Sequence, residues 1–356
     1  QHPCDPPGHP WSERSDRMIK IGQIGAGYWG PNVANSFTGT GRSEVTWICD
    51  LNAESRAAFQ KMHPAIKTTD NLSDVIDDPD IDAVAVVTPT NTHFDIAKAA
   101  LEAGKHVLVE KPITTVVDQA AELVALADRK NLILMVGHVF QYNASILALK
   151  ALIADGELGE INYLNFVRTN LGPVRTDVNA LWDLVSHDAY IMADLLGAEP
   201  VAVSALGQAY LNETVEDVIF ATFTFASGTM AHVHASWLNP RKTRQITAIG
   251  SKKMVLWDDL NIKDPIHIFD KRVEPPAIEN LEGTFLEYKT MVVDGGSTTP
   301  KIQLNQPLQS ECEHFLDCLE SGERPRSDGN SGLAVVRALK AAEKSMQNGG
   351  VLTEIA

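Results

Sequence analysis

A glycine-rich turn near the start of the chain constrains its fold more than any other feature. MIKIGQI (18–24) is a short apolar run, GAGYWG (25–30) follows it as G-x-G-x-x-G, and a helical stretch continues to about Phe37. Asp50 then ends a second strand-like run, EVTWICD (44–50). Alone the glycine pattern is a weak signal. Set between a strand and a helix, with an acidic residue at the end of the next strand, it is the dinucleotide-binding fingerprint. Gly25 permits the tight turn, Gly27 lets the backbone approach a pyrophosphate, and Gly30 lets helix and strand pack closely. The helix N-terminus supplies N–H groups and partial positive charge to the phosphates. Tyr28 and Trp29 are either cofactor neighbours or ordinary packing residues. Asp50 is placed to accept hydrogen bonds from the adenosine ribose, and its carboxylate repels a 2′-phosphate, which favours NAD. Arg42 and Arg56 are near in sequence and keep NADP open.

The alternation continues. DAVAVVTP (82–89) is nearly all apolar and β-branched, as a strand buried on both faces should be. Residues 93–103 are helical, HVLVE (106–110) is a strand, 115–130 a helix, and LILMVG (132–137) a further strand. This order predicts an α/β domain over 18–144, a Rossmann-type doubly wound parallel sheet with helices on both faces. Beyond about residue 155 the texture changes. INYLNFVRTN, PVAVSALGQAY, DVIFATFTFAS, TMAHVHASWL, RQITAIGS and KMVLWDD read as strands, two with the alternation of a half-buried antiparallel sheet. Helices are expected at about 181–196, 308–320 and 331–346. The prediction for 145–356 is an α+β domain with a large open, mostly antiparallel sheet, its C-terminal helices free to pack back on the first domain. Residues 1–17 hold four prolines and no apolar core of a secretory signal, so a disordered tail is expected, with Met18 as the native start.

Composition narrows the partners. With 44% hydrophobic and 21% charged residues among 356, the chain has the make-up of a folded protein. Thirty Lys and Arg against 46 Asp and Glu give a formal charge of −16, which disfavours nucleic acid and anionic membrane surfaces. No apolar run reaches the roughly 18 residues of a membrane span. Four cysteines (Cys4, Cys49, Cys312, Cys318) form no disulfide framework and suit a reducing, cytoplasmic setting. Cys312, His314 and Cys318 lie close together, but no second ligand pair has zinc spacing, so no metal is expected. An amphipathic helix burying Cys312, Phe315 and Leu319 is the expectation there. His232 and His234 share a strand face and are taken as ordinary sheet residues.

Two further places point to chemistry. Glu110-Lys111-Pro112 follows a strand, at the end of the sheet where ligands bind in open α/β folds. This puts Lys111 near a cofactor's reactive ring, the alternative being a solvated surface lysine. Pro112 suits a turn in either peptide isomer. Asp183 and His187, four apart in the helix expected over 181–196, face the same way beside a stripe of Leu184, Ile191 and Leu195. Such a pair can act as orienter and general base, though a partly buried histidine can also be purely structural.

At these residues the sequence resembles the Gfo/Idh/MocA oxidoreductase family, over essentially all of 18–356. The resemblance rests on GAGYWG, TPTNTHF (88–94), EKP (110–112), GHVFQYN (137–143) and the D-x-x-x-H pair. It implies hydride transfer between a sugar-type hydroxyl and a nicotinamide, and an open sheet that joins subunits into a homodimer or homotetramer. It implies catalytic roles for Lys111, His187 and Asp183. Cofactor contacts implied are Gly25, Gly27, Tyr28, Trp29, Gly30 and Asp50, then Thr88, Pro89, Asn91 and His93, then Glu110, Lys111 and Gln141. Substrate contacts implied are Lys111, Arg168, Asn170, Asn179, Asp183 and His187.

RTNLGPVRTDVNALWDL (168–184) and SWLNPRKTRQITAIGSKKMVLWDDL (236–260) are similar to the family's nucleotide-sugar branch, which holds the UDP-N-acetylglucosamine and UDP-N-acetylglucosaminuronate 3-dehydrogenases. Pro173 and Ser186 depart from that branch and leave the exact sugar open. On this basis Arg168 or Arg175 would meet a carboxylate or pyrophosphate through a guanidinium fork, and Arg241, Lys242 and Arg244 form a second basic island. The alternatives are an inositol or free-aldose dehydrogenase, and a non-catalytic NAD-binding regulator, which would be expected to lack the lysine or histidine.

Overall fold

The computed structural model describes residues 17–175, 177–211, 214–274 and 292–356. The elements begin β1 (Ile19–Ile24), α1 (Gly30–Gly39), β2 (Ser43–Cys49), α2 (Ala53–Met62), β3 (Lys67–Thr69), α3 (Ser73–Ile76), β4 (Ala83–Val86), α4 (His93–Glu102), β5 (His106–Glu110), α5 (Val117–Lys130) and β6 (Leu134–Gly137). There follow α6 (Ala144–Ala154), β7 (Ile161–Leu171), a π-turn (Leu181–Val185), α7 (Ser186–Leu196), β8 (Pro200–Gln208), β9 (Val218–Phe225), β10 (Met230–Ser236), β11 (Leu238–Gly250), β12 (Met254–Asp258), β13 (Ile266–Val273) and β14 (Val292–Thr298). The chain closes with α8 (Pro307–Ser321), α9 (Gly329–Gln347) and β15 (Thr353–Glu354). No helix among the described residues is long and apolar enough to cross a membrane.

Two compact units result. The first comprises residues up to Tyr142 together with Gln306–Val336. Its sheet is parallel throughout, in the order β3-β2-β1-β4-β5-β6. The order reverses between β1 and β4, and in such sheets the ligand crevice opens there, beyond the strands' C-terminal ends. All four residues of β4 are fully buried, as its unbroken apolar run predicts. The elements β3 and α3 were not legible in advance: three residues, KTT, carry no apolar alternation. A single cut near residue 144 does not describe the chain, because Cys312, Phe315, Leu316 and Leu319 of α8 belong to the core of the first unit. Phe315 meets Phe37 of α1 edge to face, with centroids 6.1 Å apart. The tail expected over 1–17 lies outside the described residues except for Arg17, which pairs with Asp82 at 3.3 Å.

The second unit comprises Asn143–Asn305 and Arg337–Ala356. Its sheet runs β14-β13-β12-β11-β7-β10-β9-β8-β15, and among the described strands only the β7–β10 pair is parallel. Register explains the two faces. Ala205, Ala221, Val233, Phe166, Ile246, Trp257 and Ile266 lie opposite one another across seven strands and are all buried. One residue along, Leu206, Phe220, His234 and Val167 form a row on the other face, with Leu206 and Phe220 exposed. Trp257 donates from its indole to Ser145 Oγ of α6 at 2.7 Å, which ties that helix to the buried face. The sequence reading omitted α6, whose run ASILALKALIA is too uniformly apolar to show a stripe.

Candidate active site

In the first unit the glycine turn lies at the reversal point of the sheet. Gly25 has φ +106°, and a Cβ there would lie 2.1 Å from the Val87 carbonyl oxygen at the end of β4. The left-handed conformation and the close approach both require glycine. At Gly27 a Cβ would meet no heavy atom within 4 Å. The turn therefore presents bare backbone to open space where a pyrophosphate would lie. Gln23 holds the turn from beneath, donating to the Gly25 and Gly30 carbonyls at 2.8 and 3.1 Å. Asp50 accepts from the Ala26 amide at 2.7 Å and the Asn52 amide at 2.8 Å, so the acidic residue and the turn are one assembly. Arg56 donates to the Asp50 carbonyl, whereas Arg42 turns to Asp317 and Glu320 of α8.

Tyr28 and Trp29 are not buried packing. Tyr28 is 95% exposed and Trp29 39%, and the Trp29 indole donates to Glu110 Oε1 at 2.7 Å. This bond joins the first turn to the EKP segment at the end of β5. Glu110 Oε2 accepts from the Lys111 amide, and the Lys111–Pro112 peptide is cis. Burial raises the Glu110 carboxyl, opposed by the Trp29 N–H and the Lys111 charge. His93 is 1% exposed and its two ring nitrogens lie 2.8 and 2.9 Å from the Pro112 and Thr88 carbonyls. It fastens the EKP turn to the segment after β4 rather than standing open to a ligand. Thr88 Oγ1 accepts from Thr92, Pro89 and Asn91 are exposed, and Gln141 is buried. His138, just beyond β6, was missed. It is buried, and burial together with the Lys111 charge pushes it down to about 3. Its position at a strand's C-terminal end was the available signal.

In the second unit Asp183 lies in the π-turn and His187 at the start of α7. The uninterrupted α-helix expected over 181–196 is corrected accordingly: one widened turn comes first. Leu181, Trp182 and Val185 are buried there, while Leu184 of the expected stripe is only half-buried. Such π-turns concentrate at functional sites. Asp183 is held through both oxygens. Arg175 donates to Oδ1 at 3.1 Å and the Trp237 indole to Oδ2 at 3.2 Å. Trp237, fully buried at the end of β10, had no sequence signal for this role.

The predicted substrate residues are engaged within the unit. Arg168 is 4% exposed and donates from Nε and Nη2 to Asp188 Oδ1 at 3.0 and 2.7 Å. Asn170 donates to the Gly172 carbonyl. Asn179 donates to Glu216 at 2.7 Å and caps the π-turn by accepting from the Trp182 amide. The Arg175 fork engages Asp177. Arg241 and Lys242 are exposed at an irregularity between β7 and β11. Of the residues weighed for a metal, His314 Nε2 accepts from the Arg326 amide at 3.0 Å, and burial raises the Cys318 thiol to about 12.

Two domain families match this architecture. An oxidoreductase family described as an NAD-binding Rossmann fold matches residues 19–138, and the GFO/IDH/MocA C-terminal domain matches residues 146–256. The chain belongs to the GFO/IDH/MocA oxidoreductase family. It is an NAD-binding oxidoreductase, and the matched range holds the glycine turn, Asp50 and strands β1 to β6. Among its relatives, UDP-N-acetylglucosamine 3-dehydrogenase of Acidithiobacillus ferrooxidans is 28% identical over 323 residues, 90% of this chain and 95% of that one. The solved structure of that enzyme superposes with a TM-score of 0.79, covering 93% of this chain and 99% of the other at 26% identity. Inositol 2-dehydrogenase of Rhizobium meliloti is 24% identical over 350 residues, 92% of this chain and 97% of that one. The WlbA dehydrogenase of Bordetella pertussis, solved with NADH and UDP-GlcNAcA, shares the fold at a TM-score of 0.77 and 22% identity over 96% of this chain and 99% of that one.

Proposed function

We propose that this chain oxidises a ring hydroxyl of a nucleotide-linked sugar, C3 of a UDP-linked N-acetylhexosamine or its uronic acid. When bound, NAD⁺ supplies the hydride acceptor, and the protein supplies alignment and proton handling. His187 takes the hydroxyl proton as general base. Lys111 donates a hydrogen bond to that oxygen and stabilises its developing negative charge. Asp183 contacts the sugar. The observation that carries the assignment is the anchoring of Asp183. Two donors fix a carboxylate four residues before a histidine, in a family whose chemistry is dehydrogenation. Arg168, Asn170 and Asn179 then act as supports, because their polar atoms already serve Asp188, Gly172 and Glu216. The first unit serves as the cofactor domain, and the second binds substrate and joins subunits.

The similarity to UDP-N-acetylglucosamine 3-dehydrogenase over nine-tenths of the chain supports the nucleotide sugar. The similarity to inositol 2-dehydrogenase supports a second reading, the same chemistry on a polyol. The test is NADH formation, with mass spectrometry of the keto product, on UDP-N-acetylglucosamine, its uronic acid, myo-inositol and free aldoses. Turnover confined to inositol or an aldose overturns the substrate assignment. Lys111→Met is expected to lower turnover by at least about 100-fold with NADH affinity nearly unchanged. Near-normal turnover in that variant removes Lys111 from the mechanism.

A further inference from the structure

Glu311, on α8 of the first unit, is a charged residue type in a place where a charge is costly. It is 0% exposed, and neither carboxyl oxygen hydrogen-bonds a group among the described residues. Its neighbours along the helix, Cys312, Phe315 and Leu316, are core. The helix packs on α1, whose sequence GPNVANSFTG brings no charge, and on the turn Val139–Tyr142. The titratable groups that interact with it electrostatically are Glu110 at the end of β5, Tyr142 of the turn, and Cys312 on its own helix. Of these, Glu110 acts on it directly, as a like charge.

A fully buried carboxyl that lacks a hydrogen-bond donor and feels a like charge does not ionise without compensation. The partners are distributed unequally. Glu110 has the Trp29 indole at 2.7 Å, the Lys111 amide at 3.2 Å and the Lys111 ammonium charge to satisfy an anion. Glu311 has no such hydrogen-bond partner among the described residues.

We propose that Glu311, buried with both carboxyl oxygens unpartnered, retains its proton in the native protein, so that Glu110 alone carries the negative charge set against Lys111. While Glu311 is neutral, the Glu110 carboxylate is the one negative charge of the two carboxyls set against the Lys111 ammonium and the Trp29 N–H. Both the glycine turn and the lysine then sit in a field of fixed sign. The proton count stands without any reading of the activity, whereas its consequence for catalysis rests on the role proposed for Lys111.

Burial and the Glu110 charge raise the Glu311 carboxyl well above the usual range. In the unfolded chain it ionises near 4.3, so from about that pH upward the native state binds the extra proton. Stability from this group is full below that value and falls as pH rises, by up to about tenfold in the folded-to-unfolded ratio per pH unit, until the native value is passed. Thermal unfolding of the full chain and of Glu311→Gln is compared between about pH 5 and about pH 9. The amide imitates the neutral acid, so the variant is expected to gain on the wild type steadily as pH rises. A melting difference that is constant across the range overturns the proton assignment.

The second measurement reads Lys111 itself, as its rate of reductive methylation followed by peptide mass spectrometry. It does not depend on turnover, so it separates this inference from the choice of substrate. Glu110→Gln removes the balancing charge and is expected to speed labelling several-fold at about pH 8, whereas Glu311→Gln leaves the rate at the wild-type value. Equal acceleration in both variants would mean that Glu311 is ionised in the native protein, and the inference fails.

Discussion

Replacing Arg168 by methionine would leave the buried Asp188 carboxylate without its hydrogen-bonded cation. Both side chains are nearly inaccessible, at 5% and 2%, and burial raises the Asp188 carboxyl against the pull of Arg168 and Arg244. Breaking one side of a buried pair costs about 3–5 kcal/mol, far more than a surface ion pair contributes. Arg168→Met is therefore expected to lower stability by that amount in denaturant unfolding, whereas a lost substrate contact alone would change KM and leave the unfolding midpoint unmoved. His138 makes the opposite kind of prediction. Its folded value is depressed to about 3 against an ordinary value near 6.5, so the native state binds fewer protons in that window. Stability tied to His138 is present above about 6.5 and is lost as pH falls toward about 3. His138→Gln should flatten the acid limb of the thermal stability profile; an unchanged limb would place the acid sensitivity elsewhere.

At the scale of elements, the sequence was informative where spacing alone dictates geometry. The order of β1, the glycine turn, α1, β2 and Asp50 was legible because each glycine answers a steric demand that no other residue meets. The buried strand β4 was legible from its unbroken apolar run. The π-turn was not, since LWDLV carries no proline or glycine to mark the change, and a four-residue spacing reads as ordinary α-helix. Nor was Trp237, which reaches Asp183 across 54 residues of sequence. The same holds for Arg168, whose type suggested a ligand contact while its partner lies one element away on α7. The widened turn and the indole together set the Asp183 carboxylate. Trp237→Phe removes one of its two donors, a bond to a charged group that contributes about 1.5–3 kcal/mol. The expected result is a fall in kcat of about tenfold or more with NADH affinity unchanged. A loss confined to stability, with kcat intact, would make Trp237 a core residue only.

The net charge of −16 bears on how copies of the whole molecule meet. Two such chains repel at long range, and apolar contact is the contribution to association that their net charge does not oppose. The open face of the second unit's sheet offers it: Tyr163, Leu206, Phe220 and Met230 are 45–57% exposed on neighbouring strands, and Phe220 stacks on His234 with centroids 4.5 Å apart. Apolar patches of this kind mark interfaces. In a two-fold arrangement a substitution on the patch appears twice, so one buried charge introduced there is doubled. If a homo-oligomer forms through this face, Phe220→Glu yields monomers by light scattering while leaving the NADH affinity of the first unit intact. Salt supplies the independent check. Raising ionic strength from about 0.01 M to about 1 M shortens the screening length from about 30 Å to about 3 Å. If the interface is apolar, screening the mutual repulsion tightens association; if salt instead dissociates the assembly, ion pairs hold it and the open sheet face is not the surface that joins the copies.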